Sequence, residues 1–397
     1  MNAAGRSSDP VRTVAPNSMV ARVFLAFLAT AGIFYINILP AMVDGLIEAL
    51  SFTSRQAGLV ASANVYGAAA GALGIVFIVK RLAWRRVAYA LLAGLIMMDL
   101  LSMLIITPNA LIAFRFAHGF IGGALVGTGF SVIARTLNPD RTFGVLLFIQ
   151  FGLGGLGNLF IPRLVPIFGI RVLFISLIAF SVVTLLMLPF LDQYPVDHEK
   201  QRAHREASGR IPLVPVALVL SSIFLFQAGN NGLFAFIIGL GKTSGLSLDF
   251  ITGTLAAGGW IGLLGALLVI VIHTRFGRTI PLVVAMLATV GATWILHYSA
   301  NATLFLIANC TVGITWAFVI SYLLGLAAAF DRSGQMAALG GFASKMGLAS
   351  GPLVGGLLLG DDNYGLIINI AVVALIFSMI ASVIPAIHQD RAPGSKA

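Results

Sequence analysis

Apolar residues fall along this chain in long uninterrupted runs, with no alternation of period two. Runs of membrane-spanning length occur at about 23–46, 57–79, 87–106, 110–134, 143–167, 172–191, 212–239, 251–272, 280–298, 303–329, 334–359 and 364–386. Each approaches or exceeds the roughly 20 residues that an α-helix needs to cross a bilayer. The pattern predicts an all-α integral membrane protein of twelve transmembrane helices, because a lipid-embedded backbone satisfies its polar groups only within helices or closed barrels. A barrel would need alternating segments of about ten residues, and none occurs. The first run is too long for a signal peptide and is followed by no small-residue cleavage site. Span seven holds Gly229, Asn230, Asn231 and Gly232, and a kink is expected there.

Polar stretches divide the chain. Residues 1–22 form an N-terminal tail. Residues 23–191 hold six spans, residues 192–211 a charged linker, residues 212–386 six more spans, and residues 387–397 a C-terminal tail. The halves repeat. SRQAG ending at Gly58 matches DFITG ending at Gly253. KRLAWRR at 80–86 matches TRFGRTI at 274–280, and QFGLGGLG at 150–157 matches KMGLASGP at 345–352. All three pairs sit at an offset of 194 or 195 residues, as internal duplication requires. Both halves start on the same side, so the repeats are parallel and related by an axis along the membrane normal.

Composition agrees with the pattern. Of 397 residues, 59% are hydrophobic and 10% charged, and the mean hydropathy is +1.00. Soluble domains carry about a quarter charged residues. The net charge of +10 resolves into a topological bias. Of 24 Lys and Arg residues, eighteen fall on the side that carries both termini. Four (Arg55, Arg163, Arg171, Lys242) fall on the other, and Arg115 and Lys345 lie within spans. By the positive-inside rule both termini are cytoplasmic, and the expected location is a bacterial inner membrane. This accounts for the basic balance without a nucleic-acid partner. A single cysteine, Cys310, excludes an internal disulfide or a cysteine metal cluster. No catalytic or metal-binding motif occurs, so no enzyme, cofactor or metal is expected.

Six plus six spans, parallel repeats and a central charged linker resemble the major facilitator superfamily, the MFS fold. Local motifs carry the resemblance too. The family signature between spans two and three, roughly G-x-L-a-D-R-x-G-R-R, is similar to VFIVKRLAWRR here and to its repeat IVIHTRFGR. The basic positions are Arg81, Arg85, Arg86, Arg275 and Arg278. Lys80 and Thr274 replace the aspartate that latches one conformation in the family. RFAHGFIGGALVGTG from Arg115 resembles the span-four pattern R-x-x-Q-G-x-G-x-G, with His118 for the glutamine. GLASGPLVGG in span eleven resembles a glycine-proline antiporter signature. The resemblance implies a secondary active transporter working by alternating access, as symporter or antiporter. It acts on a small-molecule substrate in the lipid bilayer and is expected to be a monomer. A drug or metabolite efflux antiporter is the alternative. A non-transporting sensor or assembly factor of the same fold is the alternative of another class, and it would need no open polar cavity and would keep Lys345 fully paired.

Charges inside spans are expensive and mark function. Lys345 lies about eleven residues into span eleven, ~16 Å deep at ~1.5 Å per residue and near the midplane. It is read as a cation for an anionic or zwitterionic solute. Arg115 is expected to support that solute, or to pair with Asp44 at the outer end of span one. Asp44, Asp99 and His118 are the groups available for gating or proton coupling. Glu48 is read as solvated. Tyr35, Asn37, Gln150, Gln227, Asn230, Asn231, Trp260, Trp316 and Tyr322 are expected to line the substrate cavity, since neutral hydrogen-bonding groups and aromatics suit a small organic ligand. Gly152, Gly347, Gly351 and Pro352 are expected to serve helix packing, with hinging as their other role.

Overall fold

The computed structural model describes residues 13–78, 83–194, 212–272, 275–330, 335–360 and 363–391. Its helices give twelve crossings. Span one is three pieces, Met19–Ala31, Phe34–Asn37 and Leu39–Leu50. There follow span two (Ser54–Ile78), span three (Trp84–Ser102), span four (Pro108–Ile133), span five (Pro139–Phe168) and span six (Arg171–Met187). Span seven is Leu213–Phe234 with Ile237–Thr243. Span eight is Leu248–Ile272, span nine Thr279–Ile295, span ten Ala302–Ala329, span eleven Gln335–Leu359 and span twelve Tyr364–Asp390. Ten described helices are long and apolar enough to cross a bilayer. The remaining two crossings are span one, which is broken, and span three, whose 19 residues include Arg85, Arg86 and Asp99.

Span one breaks where its sequence dictates. Gly32 caps the first piece, and Pro40 sits in the first turn of the third, where its missing N–H interrupts no helical bond. Span seven corrects the expected kink. Its helix runs unbroken through Gly229–Gly232 and stops at Ala235 and Phe236. The glycines serve close approach instead: Gly232 lies against the Gly351 backbone of span eleven, and Gly229 against Ala371 of span twelve. The breaks at Ile38 and at Ala235–Phe236 fall at nearly equivalent places in the two halves.

Packing repeats as well. Span two lies on span four, span three on four and six, and span one on four, five and six. Six spans later the same pairs recur: eight on ten, nine on ten and twelve, seven on ten, eleven and twelve. Small residues let the backbones meet. A methyl group at Gly119 would strike the Asn64 carbonyl, and one at Gly123 would strike Ala68. Gly119→Ala is therefore expected to force spans two and four apart and to cost about 1–3 kcal/mol. A fall in melting temperature of the purified protein checks this, and an unchanged value refutes it.

The halves meet mainly through span two on span eleven and span five on span eight. Described hydrogen bonds and ion pairs between them all lie from the middle of the bundle toward the end away from the termini. They join Tyr66 Oη to Ser350 Oγ at 2.7 Å, Trp260 Nε1 to the Gly152 carbonyl at 3.1 Å, and the two ion-pair clusters described below.

Candidate functional site

A cavity of about 170 Å³ lies between the halves. Spans one, five, seven, eight, ten and eleven line it, so each half supplies part of its wall. Asn37, Gln150, Asn230, Asn231 and Trp316 line it, as their sequence positions suggested. So do Asn158, Asn309, Phe151 and Phe234, which sequence reasoning missed. The signal for the two asparagines was an uncharged polar residue inside an apolar helix. No charged residue belongs to the described wall.

The asparagines are oriented by the helices they stand on. Asn230 Nδ2 donates to the Phe226 carbonyl and Asn309 Nδ2 to the Phe305 carbonyl, each one turn back and at 2.8 Å. Asn231 Nδ2 donates to Leu348 O, Asn37 Nδ2 to Gln150 O at 3.2 Å, and Asn158 Nδ2 to Asn37 O at 2.9 Å. A carbonyl partner fixes an amide's orientation, because only its NH₂ can donate. No described residue donates to any of the five Oδ1 atoms, and Asn158 Oδ1 is buried without a partner. The cavity wall thus carries five carboxamides whose oxygens have no described donor.

Aromatic walls complete it. The rings of Phe151 and Trp316 meet edge to face at 5.9 Å across the two halves. Gln227 is buried outside the cavity and acts as a brace. Its Oε1 receives Trp316 Nε1 at 2.7 Å, and its Nε2 donates to Ser344 Oγ at 2.8 Å. Three further expected wall residues stand elsewhere. Trp260 is 42% exposed and packs over Gly155 of span five. Tyr322 is buried in the second half's core, stacked on Phe318 at 4.6 Å. Tyr35 also turns away, buried with its ring 6.4 Å from that of His118.

The expected pairing of Arg115 with Asp44 is corrected. Arg115 Nη2 lies 2.9 Å from Asp99 Oδ1 in span three, and both side chains are fully buried. Its guanidinium also donates to Ser102 Oγ and stands over the Phe174 ring at 5.1 Å. His118 Nε2 is 3.3 Å from Asp99 Oδ2. Asn64 Nδ2 donates to the Arg115 carbonyl at 3.1 Å and meets His118 Nδ1 at 2.8 Å. Facing a donor, Nδ1 must accept, so the imidazole proton sits on Nε2 and points at Asp99. The cluster is a carboxylate, a guanidinium and a neutral imidazole, with no net charge. It lies inside the first half, held by spans two, three, four and six, and none of its described partners lines the cavity.

Asp44 pairs across the halves instead. Lys242 Nζ is 2.8 Å from Asp44 and 2.9 Å from Glu48, which is therefore paired and not merely solvated. Two carboxylates on one ammonium offset the water that its partial burial removes. A second clamp joins Arg163 Nε to Asp249 at 3.1 Å and to Thr252 Oγ1 at 2.9 Å. These clamps close the end of the bundle away from the termini.

Lys345 is half-buried and has no hydrogen-bond or ion-pair partner among the described residues. It stands one turn from Leu348, a wall residue, without itself lining the wall. Gly347 and Gly351 give span seven close approach, the Gly351 backbone lying against Gly232. Pro352 meets span two, its carbonyl beside Gly58. Gly152 is corrected: a side chain there would meet nothing, so it is not a packing glycine, and its carbonyl receives Trp260.

Of the loop signature, Arg81 lies outside the described residues, as does most of the linker at 192–211. Arg85 lies over the Trp84 ring at 5.8 Å. Arg278 Nη1 donates to the Gly325 carbonyl at 2.8 Å. Asp390, at the end of span twelve, accepts from Arg278 N, Thr279 N and Thr279 Oγ1. A carboxylate therefore caps the start of span nine although the signature position holds Thr274. For Arg86 and Arg275 no side-chain contact enters the site.

Comparison with known proteins follows the geometry. The Major Facilitator Superfamily family model matches residues 23–352. A mutant of the nucleoside transporter NupG superposes with a TM-score of 0.66 at 13% identity, covering 94% of this chain and 98% of that one. A bacterial homologue of the human lysosomal transporter Spinster, inward-facing and unoccupied, gives 0.65 at 14% identity, covering 94% and 96%. At these identities the likeness is one of fold. A comparison with curated proteins gives no match.

Proposed function

Because the chain belongs to the Major Facilitator Superfamily, a family of transporters and not of enzymes, we propose that it carries a small, uncharged, donor-rich organic solute across the membrane by alternating access. The observation that carries this reading is the wall of carboxamide oxygens with no described donor of their own. A solute bearing several O–H or N–H groups supplies the missing donors. Phe151 and Trp316 offer it a flat apolar face. A sugar joined to a planar base has this chemistry, as do other polyhydroxylated solutes with a ring.

The sequence favoured an anionic or zwitterionic solute on the strength of Arg115 and Lys345. Arg115 is engaged by Asp99, and the cavity wall is uncharged. Anion recognition then rests on Lys345 alone. The non-transporting alternative needs no open polar cavity and would keep Lys345 paired, and the absence of a partner for Lys345 among the described residues speaks against it. Proton coupling has least support at Asp99 and His118, which are shut inside one half. Of the three groups expected to couple protons, Asp44 is the one that pairs across the halves. With the termini in the cytoplasm, the clamped end is the outside.

Thermal-shift measurement on the purified protein tests the substrate class, since a ligand of the native state raises stability by mass action. Nucleosides and polyols are expected to stabilise, and mono- and dicarboxylates are expected to do so less. Stabilisation by carboxylates alone would overturn the proposal. Uptake of the strongest ligand into proteoliposomes then establishes transport.

A further inference from the structure

Lys345 occupies a particular stripe of span eleven. With Ala349, Pro352 and Gly356 it forms the series i, i+4, i+7, i+11, one face of a helix. That face packs on span two. Gly356 lies against Ser54 and Gly58, the Pro352 carbonyl against Gly58, and Ala349 clusters with Val65. The pairing is antiparallel, so one turn further toward the termini Lys345 comes opposite residues one turn beyond Val65. Those are Ala69 and, a turn on, Ala72 and Leu73. None can accept a proton or a hydrogen bond through its side chain.

In the present conformation this causes no difficulty. No described hydrogen bond or ion pair joins the halves on the terminal side of Tyr66–Ser350, and Lys345 is only half-buried. Alternating access, the mechanism on which this inference rests, requires that end to close. Closing would zip span two onto span eleven and seal the ammonium against alanine and leucine. An unpaired charge taken out of water in this way opposes closure. Among the described residues no acid is placed to relieve it. Asp99, within the bundle, already faces Arg115 and His118, while Asp44 and Glu48 hold Lys242 at the opposite end.

We propose that Lys345 is an anion site one turn from the cavity wall at Leu348, and that an anion bound there permits the halves to close on the terminal side. The anion enters beside the uncharged solute, as a small carboxylate or a free inorganic ion. Either way an unoccupied carrier is held open by its own lysine, and movement of the empty form is suppressed.

Distance measurement between spin labels tests this without any transport assay, so its outcome is independent of the substrate proposal. Labels are placed by Leu137→Cys and Leu339→Cys, both at exposed positions toward the terminal end, in a Cys310→Ser background. The full-length protein in a low-chloride zwitterionic buffer is titrated separately with sodium acetate, sodium phosphate and sodium chloride. The same titrations on Lys345→Met share every non-specific effect of salt. The expected result is a shift of the wild-type distribution to shorter distances with at least one anion. The Met variant is expected to populate the short distance without anion and to ignore all three. A response to acetate alone identifies a carboxylate ion, and a response to phosphate or chloride identifies an inorganic ion. A wild type unmoved by all three anions overturns the proposal, whatever the variant does. So does a Met variant that responds as the wild type does. Adding Ala69→Asp to the wild-type background provides a further check. An acid on that rung should pair with Lys345 and bring the short distance without anion.

Discussion

Replacing Asp99 with leucine is expected to lower the melting temperature more than any other single change considered above. Asp99 is fully buried, and its two oxygens face Arg115 Nη2 and His118 Nε2. Its removal strands a guanidinium inside the first half, with only Ser102, the Met98 carbonyl at 3.4 Å and the Phe174 ring to receive it. Breaking one side of a buried pair costs about 3–5 kcal/mol. Removing both charges avoids that penalty, so Asp99→Leu with Arg115→Leu is expected to recover most of the loss. Thermal unfolding of the two single variants and the double completes the cycle. A double variant less stable than Asp99→Leu alone would refute the account. Transport separates structure from coupling. If the cluster only fastens spans three and four together, the double variant transports and keeps the wild-type dependence on an imposed pH gradient. Loss of that dependence with a folded protein would make the cluster a proton site.

Alanine at Asn230 and at Asn309 is expected to weaken solute binding by roughly tenfold each. A hydrogen bond contributes about 0.5–1.5 kcal/mol net, and about 1.4 kcal/mol is a factor of ten. These two residues are clean probes, because each amide bonds only the carbonyl one turn back on its own helix. Their loss breaks no contact between helices, so melting temperatures without ligand should stay close to wild type. Asn231 would be a poorer probe, since its amide also ties span seven to Leu348 of span eleven. The double variant is expected to lose roughly a hundredfold, provided the two contacts are independent. Ligand-induced thermal shifts across a concentration series measure both. Unchanged affinity in Asn230→Ala and Asn309→Ala alike would remove these oxygens from the binding site.

How far the sequence could go is clearest in span four. Arg115 and His118 were conspicuous as polar groups in a hydrophobic run, and so was Asp99 in span three. Nothing in one dimension said that the three meet. The separation of Asp99 and Arg115 spans a turn between helices, and their contact depends on how spans three and four rotate against each other. Asp44 was misassigned to Arg115 for the same reason. The lysine it meets is 198 residues away and on the other half. Asn309 and Asn158 carry the cavity as much as Asn230 does, yet an asparagine on the lipid or packing face of a helix has the same one-letter neighbours.

Span seven makes a related point about glycine. The cluster at Gly229–Gly232 read as a flexible place because glycine lacks a side chain. The same absence allowed spans eleven and twelve to come close, and the helix stayed continuous. Local conformational freedom and close packing have identical sequence signatures, and only the neighbours distinguish them.

By itself the sequence determined the solvent and the frame of this protein. Apolar run lengths are set by bilayer thickness, so the twelve crossings are legible one at a time, and the charge bias gives the orientation expected of them. The repeat of QFGLGGLG as KMGLASGP marked both a shared scaffold and the lysine that departs from it. Partners were decided only in three dimensions. Hydrogen bonds and ion pairs act over about 3 Å, whereas the groups that make them here come from helices far apart in the chain. Tertiary packing therefore decided that Arg115 is neutralised, and that neither the asparagine oxygens nor Lys345 meet a partner among the described residues.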